Sequence, residues 1–454
     1  MSLTSCMLHA VQRTDRSVYL TSDLAKALRL TGIKSITVKV GSKGTSLPVR
    51  LIKKSGQHMY IPLSLMASLR IPRTGNVLVA NTNNKELRIG PLIGVLTNVE
   101  SGTSPFGSKT GFIRQVINTG SHRSFSFAFS PKSVNWIQET VSGIIPKEGG
   151  GWMRKTFPLP DVIYNRLSSR KAEKSAGMEG FKNRFVGRGI PIFNWSFFDK
   201  WDVYKMLDGD DAFRFVPESR INPTAEQIKE MLDKHKFIYL KPTAGSLGIG
   251  IYRVTYNPKR GYFVRFRKGN KNVLIRYSKF EGLMQMLGTG RGRLASYVAQ
   301  QGIRLIEIDN CPIDFRFHLT KNGSNQWVVA AIGAKKSGKG SVTTHIRNGG
   351  QLMTPEQVLR IVYGARGEQI LENAKETAIK LAQGIENNYD HLLGELGFDI
   401  GIDQNEKVWM FEANAKPGRS IFKHPSLKDG DTATLQSVYE HCLYLSRFRS
   451  RREN

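Results

Sequence analysis

Hydrophobic and polar positions along this chain fall into short, regularly punctuated stretches. In the first 90 residues one pattern occurs twice. Val18-Tyr-Leu-Thr-Ser-Asp-Leu-Ala-Lys-Ala-Leu-Arg-Leu30 aligns with Met59-Tyr-Ile-Pro-Leu-Ser-Leu-Met-Ala-Ser-Leu-Arg-Ile71 at an offset of 41. Each copy reads as strand, short helix and strand, the last being 36–40 in one copy and 76–80 in the other. Two such copies make a small barrel if each covers the other's open edges. From 87 onward the pattern alternates between strands and helices, as in an α/β unit. Strands are predicted at 93–96, 125–129, 160–166 and 190–193, with helices at 105–118 and 169–184. Beyond these come a helix at 197–207 and strands at 237–242, 251–255, 297–303, 312–319 and 327–333. A basic aromatic hairpin is predicted over 261–277. Thr354-Pro-Glu-Gln starts a helix with a cap and a proline in its first turn. A long helix is predicted from 372 to 396, with Ala378, Leu381, Ile385, Leu392 and Leu396 as its core stripe. The expected architecture is α/β (α+β): a barrel-like repeat region (1–90), an α/β region (91–195), and a two-lobed region (196–454, dividing near 298).

The stretch 396–418 is the one on which chemistry concentrates. Phe398, Ile400 and Ile402 alternate on one arm of a predicted hairpin, and Val408, Met410 and Glu412 on the other. If the arms pair, Asp399, Glu412 and Asn414 converge at one end. Two carboxylates and an amide oxygen are hard ligands, suited to Mg²⁺ shared with phosphate oxygens rather than to zinc. A plain hairpin with solvated acids is the alternative. A second candidate is the strand ending in Lys241, followed by Gly245, Ser246, Leu247, Gly248 and Gly250. Backbone N–H groups there could close over phosphates beside the lysine charge. A strand-like segment, not a helix, follows the glycines, which argues against a Walker loop or a dinucleotide fingerprint. On residues alone an ordinary hairpin turn stays open. Asp314 and Arg316 share a strand face by period two, either as a surface ion pair or as a working pair. Arg166 ends a strand where open α/β sheets bind ligands, as a carboxylate contact or as plain surface charge.

Charge adds to this picture. Lys and Arg number 67 against 37 Asp and Glu, a net +30, and the first 100 residues hold 14 cations against 4 acids. Such a field draws polyanions: nucleic acid, an acidic polypeptide or an anionic polymer. The N-terminal region reads as a docking module or a structural cap, and the basic tail Arg447-Phe-Arg-Ser-Arg-Arg as a polyanion contact or as plainly solvated. Three distant cysteines suggest neither a disulfide framework nor a metal knuckle. No apolar run spans a bilayer and no secretory signal is evident, so a cytoplasmic location is expected.

Asp399 followed by Glu412-Ala-Asn414 resembles the metal-binding end of ATP-grasp enzymes. Phe411-Glu-Ala-Asn-Ala-Lys-Pro-Gly-Arg-Ser-Ile-Phe422 is similar to the YheC/YheD-like ATP-grasp family, described as endospore coat-associated. The resemblance implies an ATP-grasp fold preceded by a pre-ATP-grasp domain. It also implies ATP with one or two Mg²⁺ ions, and a ligase joining a carboxylate to an amine through an acyl phosphate. It assigns Lys200, Lys241 and the glycine flap (Gly245, Ser246, Leu247, Gly248, Gly250) to the phosphates. Gln300, Gln301 and Ile303 fall to adenine, with the ribose contact unsettled among Gln301, Glu307 and Asp309. Asp314 joins the nucleotide set, Arg316 meets the transferred group, and Asp399, Glu412 and Asn414 hold the metals. Arg419 is expected to face an anionic acceptor. His345 stands where the family pattern expects asparagine and is left out of the site. The basic surface suggests an acidic peptide or protein as acceptor and an amino acid as amine. Two rivals are a coat protein that keeps the fold without turnover and a nucleic-acid binder. No nucleic-acid-binding motif supports the latter.

Overall fold

The computed structural model describes residues 1–82, 86–100, 102–243, 250–269, 271–288, 293–341 and 350–449. Seven strands of the N-terminal region close into a barrel. The first strand of each copy, Ser2–Val11 or Lys43–Ile52, runs parallel to the second strand of the other copy, His58–Pro62 or Val18–Thr21. Ser2–Val11 also pairs antiparallel with Gly75–Thr82, and Lys43–Ile52 with Ser35–Val40. The exchange leaves no open edge. Helices Ser22–Ala27 and Leu63–Leu69 follow the second strand of each copy, and Leu24, Leu28, Leu65 and Leu69 are fully buried.

The second sheet runs in the order Val134–Asn135, Thr140–Pro146, Phe125–Phe129, Leu92–Leu96, Val162–Asn165, Ile192–Phe193. Its centre is parallel. The predicted 169–184 helix is two helices, Arg170–Glu173 and Ala176–Val186. Ser175 accepts from the Met178 N–H and caps the second, so the chain restarts there. The hairpin of Thr140–Pro146 with Trp152–Pro158 was not predicted. Much of its second arm is solvent-facing, so its polar Arg-Lys-Thr run carries no core-facing alternation.

A third sheet, six-stranded, has the order Ser219–Ile221, Tyr297–Gln301, Phe237–Pro242, Tyr252–Asn257, Gly261–Lys268, Lys271–Tyr277. Helices Ala225–His235 and Phe280–Leu287 cover one side through Ile228, Leu232 and Leu283, which pack with Ile238, Leu240 and Val264. The fourth sheet has the order Gln351–Met353, Trp327–Lys336, Cys311–Lys321, Glu395–Ile402, Val408–Asn414. Phe315, Phe317, Phe398 and Ile400 on one side pack with Ala374, Ala378 and Leu381 of helix Gly367–Asn387.

That helix starts and ends earlier than the periodicity suggests. The chain leaves the helix at Asn388; Leu392 is 43% exposed and Leu396 already belongs to a strand. Their helical spacing is coincidental. The tail also differs from expectation. Phe448 is fully buried with Leu78 and Ala80 of the barrel, and the Arg88 guanidinium lies 4.7 Å from its ring centroid. Helix Lys428–Leu445 places Val438, Tyr439 and Cys442 against Val95 and Tyr164 of the second sheet. The end of the chain therefore straps the first two sheets to the fourth.

Candidate functional site

The hairpin at the edge of the fourth sheet sets the site. Asp399 lies directly opposite Glu412, and Gly397 opposite Asn414. The register shifts at the next step, so that Ile400 faces Met410 and Phe411 is the extra residue. This bulge corrects the simple alternation expected for the arm. Val408 and Met410 face the core, but so does Ala413, while Glu412 and Asn414 turn to the opposite side. Bulges re-aim side chains in this way. Among the described residues, neither Glu412 nor Asn414 has a side-chain hydrogen bond or ion pair.

The row continues across the sheet, because Arg316 is the other cross-strand neighbour of Asp399. Arg316 Nη1 is 3.2 Å from Asp399 Oδ2, and Lys335 Nζ donates to Asp399 Oδ1 at 2.9 Å. Lys335 also sits 3.1 Å from Asp314 Oδ1. Asp314 and Arg316 do share a face, but each pairs with a different neighbour rather than with the other. Burial alone would raise the Asp399 carboxyl pKa. The Arg316 and Lys335 charges, with Lys241, outweigh it and hold Asp399 at about 2. Burial likewise opposes the charge on Lys335, and Asp314 and Asp399 raise its pKa regardless. Asp399 is thus an anion under all ordinary conditions. Two carboxylates and an amide oxygen on one face, two of them unpartnered, form a donor set that fits a hard divalent ion. No cluster of three His, Cys, Asp or Glu side chains exists among the described residues, so such an ion would rely on Asn414 or on ligand oxygens.

Beside the row a cleft opens between the third and fourth sheets, lined by Trp201, Tyr204, Lys241, Gln300, Phe411 and Glu412 among others. Lys241 Nζ donates to Gln300 Oε1 at 2.5 Å, and Gln300 Nε2 donates to Ser219 Oγ at 3.3 Å. Trp201 and Tyr204 stack with centroids 4.7 Å apart. Trp201 falls within the helix predicted over 197–207. Its i, i+3 spacing with a second aromatic is the one signal that could have placed it in a wall. Gln301 Oε1 instead accepts from the Glu218 N–H at 3.1 Å, and neither Gln301 nor Ile303 lines the cleft. Gly250 has φ +76° and abuts Pro242. Gly245, Ser246, Leu247, Gly248 and His345 lie outside the described residues. Lys200 opens helix Lys200–Leu207, but its side chain lies outside the description too.

Arg166 is neither on the surface nor open to a ligand. It is buried, donating to Glu395 Oε2 at 2.9 Å and to the Pro417 carbonyl at 3.2 Å. Arg419 Nε donates to Asp431 Oδ1 at 2.8 Å, and its Nη1 lies 3.5 Å from Glu395 Oε1. That Nη1 is buried without a hydrogen bond.

A family model described as YheC/D-like ATP-grasp matches residues 189–445. The endospore coat-associated protein YheD of Bacillus subtilis (strain 168) is 37% identical over 368 residues, covering 79% of this chain and 80% of the relative. The endospore coat-associated protein YheC of the same strain is 22% identical over 286 residues, covering 59% and 73%. Among solved structures, the D-alanine–D-alanine ligase from Bacillus anthracis superposes with a TM-score of 0.45 at 12% identity, covering 78% of this chain and 97% of that one.

Proposed function

The chain belongs to the YheC/D-like ATP-grasp family, and from that premise we propose that it is an ATP-dependent carboxylate–amine ligase. The supporting observation is the cross-strand row: Asp399, Glu412 and Asn414 share a face with Arg316, next to a cleft that holds Lys241 and Gln300. None of these groups is an activated nucleophile. The set suits phosphoryl transfer, where positioning and charge neutralisation supply most of the rate. An acceptor carboxylate oxygen attacks the γ-phosphorus of ATP and ADP leaves, giving an acyl phosphate. The amine nitrogen then attacks the acyl carbon, inorganic phosphate leaves, the nitrogen loses its proton and an amide forms.

Lys241 and the glycine flap are assigned to the nucleotide phosphates, with Lys200 and Asp314 in the same set. Gln300, with Gln301 and Ile303 behind it, is assigned to the adenine side. Arg316 is assigned to the transferred group. Mg²⁺, when held by Asp399, Glu412 and Asn414, would neutralise phosphate charge. Asp399 is kept ionised by Arg316 and Lys335, so it needs no proton loss to serve there. Arg419 is assigned to the anionic side of the acceptor. The net +30 supports an acidic peptide or protein as acceptor, with an amino acid or peptide as amine. The names of the relatives suggest the endospore coat as the setting.

The test is an ATP-consumption screen of amino acids crossed with acidic peptides in the presence of magnesium, with products read by mass spectrometry. The expected result is ADP release that needs both acceptor and amine, with an acceptor heavier by the amine less water. Absence of ADP formation with every pairing of carboxylate and amine would leave a coat component that keeps the fold without turnover.

A further inference from the structure

From Lys236 to Phe280 the chain carries eleven Lys and Arg and no Asp or Glu. This acid-free segment builds most of the third sheet. Ile238, Leu240, Val254, Tyr262 and Val264 point to the covering helices, so by alternation Arg253, Arg265, Arg267 and Arg276 belong to the opposite side. That side is turned toward the fourth sheet. Arg265 Nη1 reaches the Gly340 carbonyl at 3.5 Å, in the loop that follows strand Trp327–Lys336. No carboxylate of a described residue is paired with Arg253, Arg265 or Arg276. Arg253 sits across from Arg265 in the strand register, and its Nε is buried without a hydrogen bond. The sheet ends at Lys271–Tyr277, whose outer backbone edge has no strand partner among the described residues.

We propose that this arginine-bearing side and its open edge form the docking surface for an acidic polypeptide, which crosses it to deliver a carboxylate to the cleft. The inference rests on the ligase reading and adds where its acceptor binds. Three features favour a polypeptide over nucleic acid. The reacting group has to be a carboxylate, which an Asp- or Glu-rich chain carries and a phosphodiester chain lacks. Arg265 and Arg267 are two residues apart on one strand, hence roughly 7 Å apart, the same repeat as carboxylates on alternate residues of an extended peptide. An unpaired strand edge also offers backbone N–H and C=O groups that only another peptide backbone matches.

The experiment uses the full chain and a fluorescent peptide of alternating Glu and Ala, about twenty residues long. A fluorescent oligothymidylate of about the same length is the comparator. The test variant is Arg267→Glu with Arg276→Glu; the control, of equal charge change, is Lys43→Glu with Lys53→Glu on the barrel. The expected result is a loss of about tenfold or more in peptide affinity for the test variant and under about threefold for the control. ATP binding should be unchanged in both, which shows that the lobe is folded. Equal losses in the two variants would reduce the effect to net charge and overturn the proposal. Tighter binding of the oligothymidylate than of the peptide, lost in the test variant, would reassign the surface to nucleic acid. Peptide binding is read without turnover. Docking without acceptor-dependent ADP release therefore indicts the ligase reading alone, and turnover with undiminished peptide binding by the test variant indicts this proposal alone.

Discussion

Strand Glu395–Ile402 carries two carboxylates on one side, four residues apart, and they live in opposite circumstances. Glu395 is fully buried. It accepts from the Tyr164 hydroxyl at 2.6 Å and from Arg166 at 2.9 Å, while its backbone N–H and C=O are both held by the Asn194 side chain. Asp399 is partly open, with Glu412 and Asn414 beside it lacking any side-chain partner among the described residues. One end joins the second sheet to the fourth; the other leaves oxygens available. A carboxylate here does structural or ligand-binding work according to how many donors reach it from elsewhere in the chain, since the residue type and the sheet face are the same.

The largest effect that could break this contrast is at the open end. Glu412→Ala removes a group with no side-chain partner among the described residues, so the protein should keep its melting temperature within about 2 °C. Turnover should fall by about 10²- to 10³-fold, because the variant loses a carboxylate that would hold the metal neutralising phosphate charge. Calorimetry and ADP release read the two quantities separately. A variant that melts early while turning over normally would reverse the assignment of this end.

At the buried end the prediction is the mirror image. Glu395→Ala strands Arg166 and the Tyr164 hydroxyl in the interior, and removing one partner of a buried pair costs about 3 kcal/mol. Chemical denaturation should show that loss. Activity per folded molecule should change less than in Glu412→Ala. A Glu395→Ala protein of unchanged stability would show that water or another donor already serves Arg166, and the contrast would fail.

These two ends also show what could be read from the chain. The hairpin was legible because period-two alternation and a polar turn are local signals, and the barrel because its repeat is explicit. The bulge at Phe411 was not, since nothing in Trp-Met-Phe-Glu marks which residue is the extra one. The Arg166–Glu395 pair joins residues 229 apart, and no local pattern encodes such a partner. Arg166 therefore reads as a carboxylate contact or as plain surface charge, and neither is a buried pair. The burial of Phe448 and the strap formed by the last helix were hidden for the same reason. The helix overrun to Leu396 arose from the opposite error, a local period continuing by chance past Asn388.

The smallest predicted effect sharpens the boundary between the two ends. His318 lies opposite Gly397, midway along the same face, fully buried and 3.8 Å from Glu395 Oε1. Burial, then the Arg419 and Arg316 charges, hold its pKa well below the usual histidine range despite that carboxylate. The unfolded chain takes up a proton near pH 6.5 and the folded protein does not. Its contribution to stability is therefore complete above about pH 6.5 and is lost as the pH falls below that value. Between pH 7 and 5.5 the loss should be roughly 1 kcal/mol for this residue. His441, which burial brings down to about 3, adds a loss of the same sign. The measurement is denaturant unfolding across that range for the native chain and for His318→Gln, whose decline should be shallower by about that amount. Equal slopes would mean that His318 takes up a proton in the folded state too. The polar stripe would then be hydrated up to Glu395, and its buried end would be no drier than the end that carries Glu412.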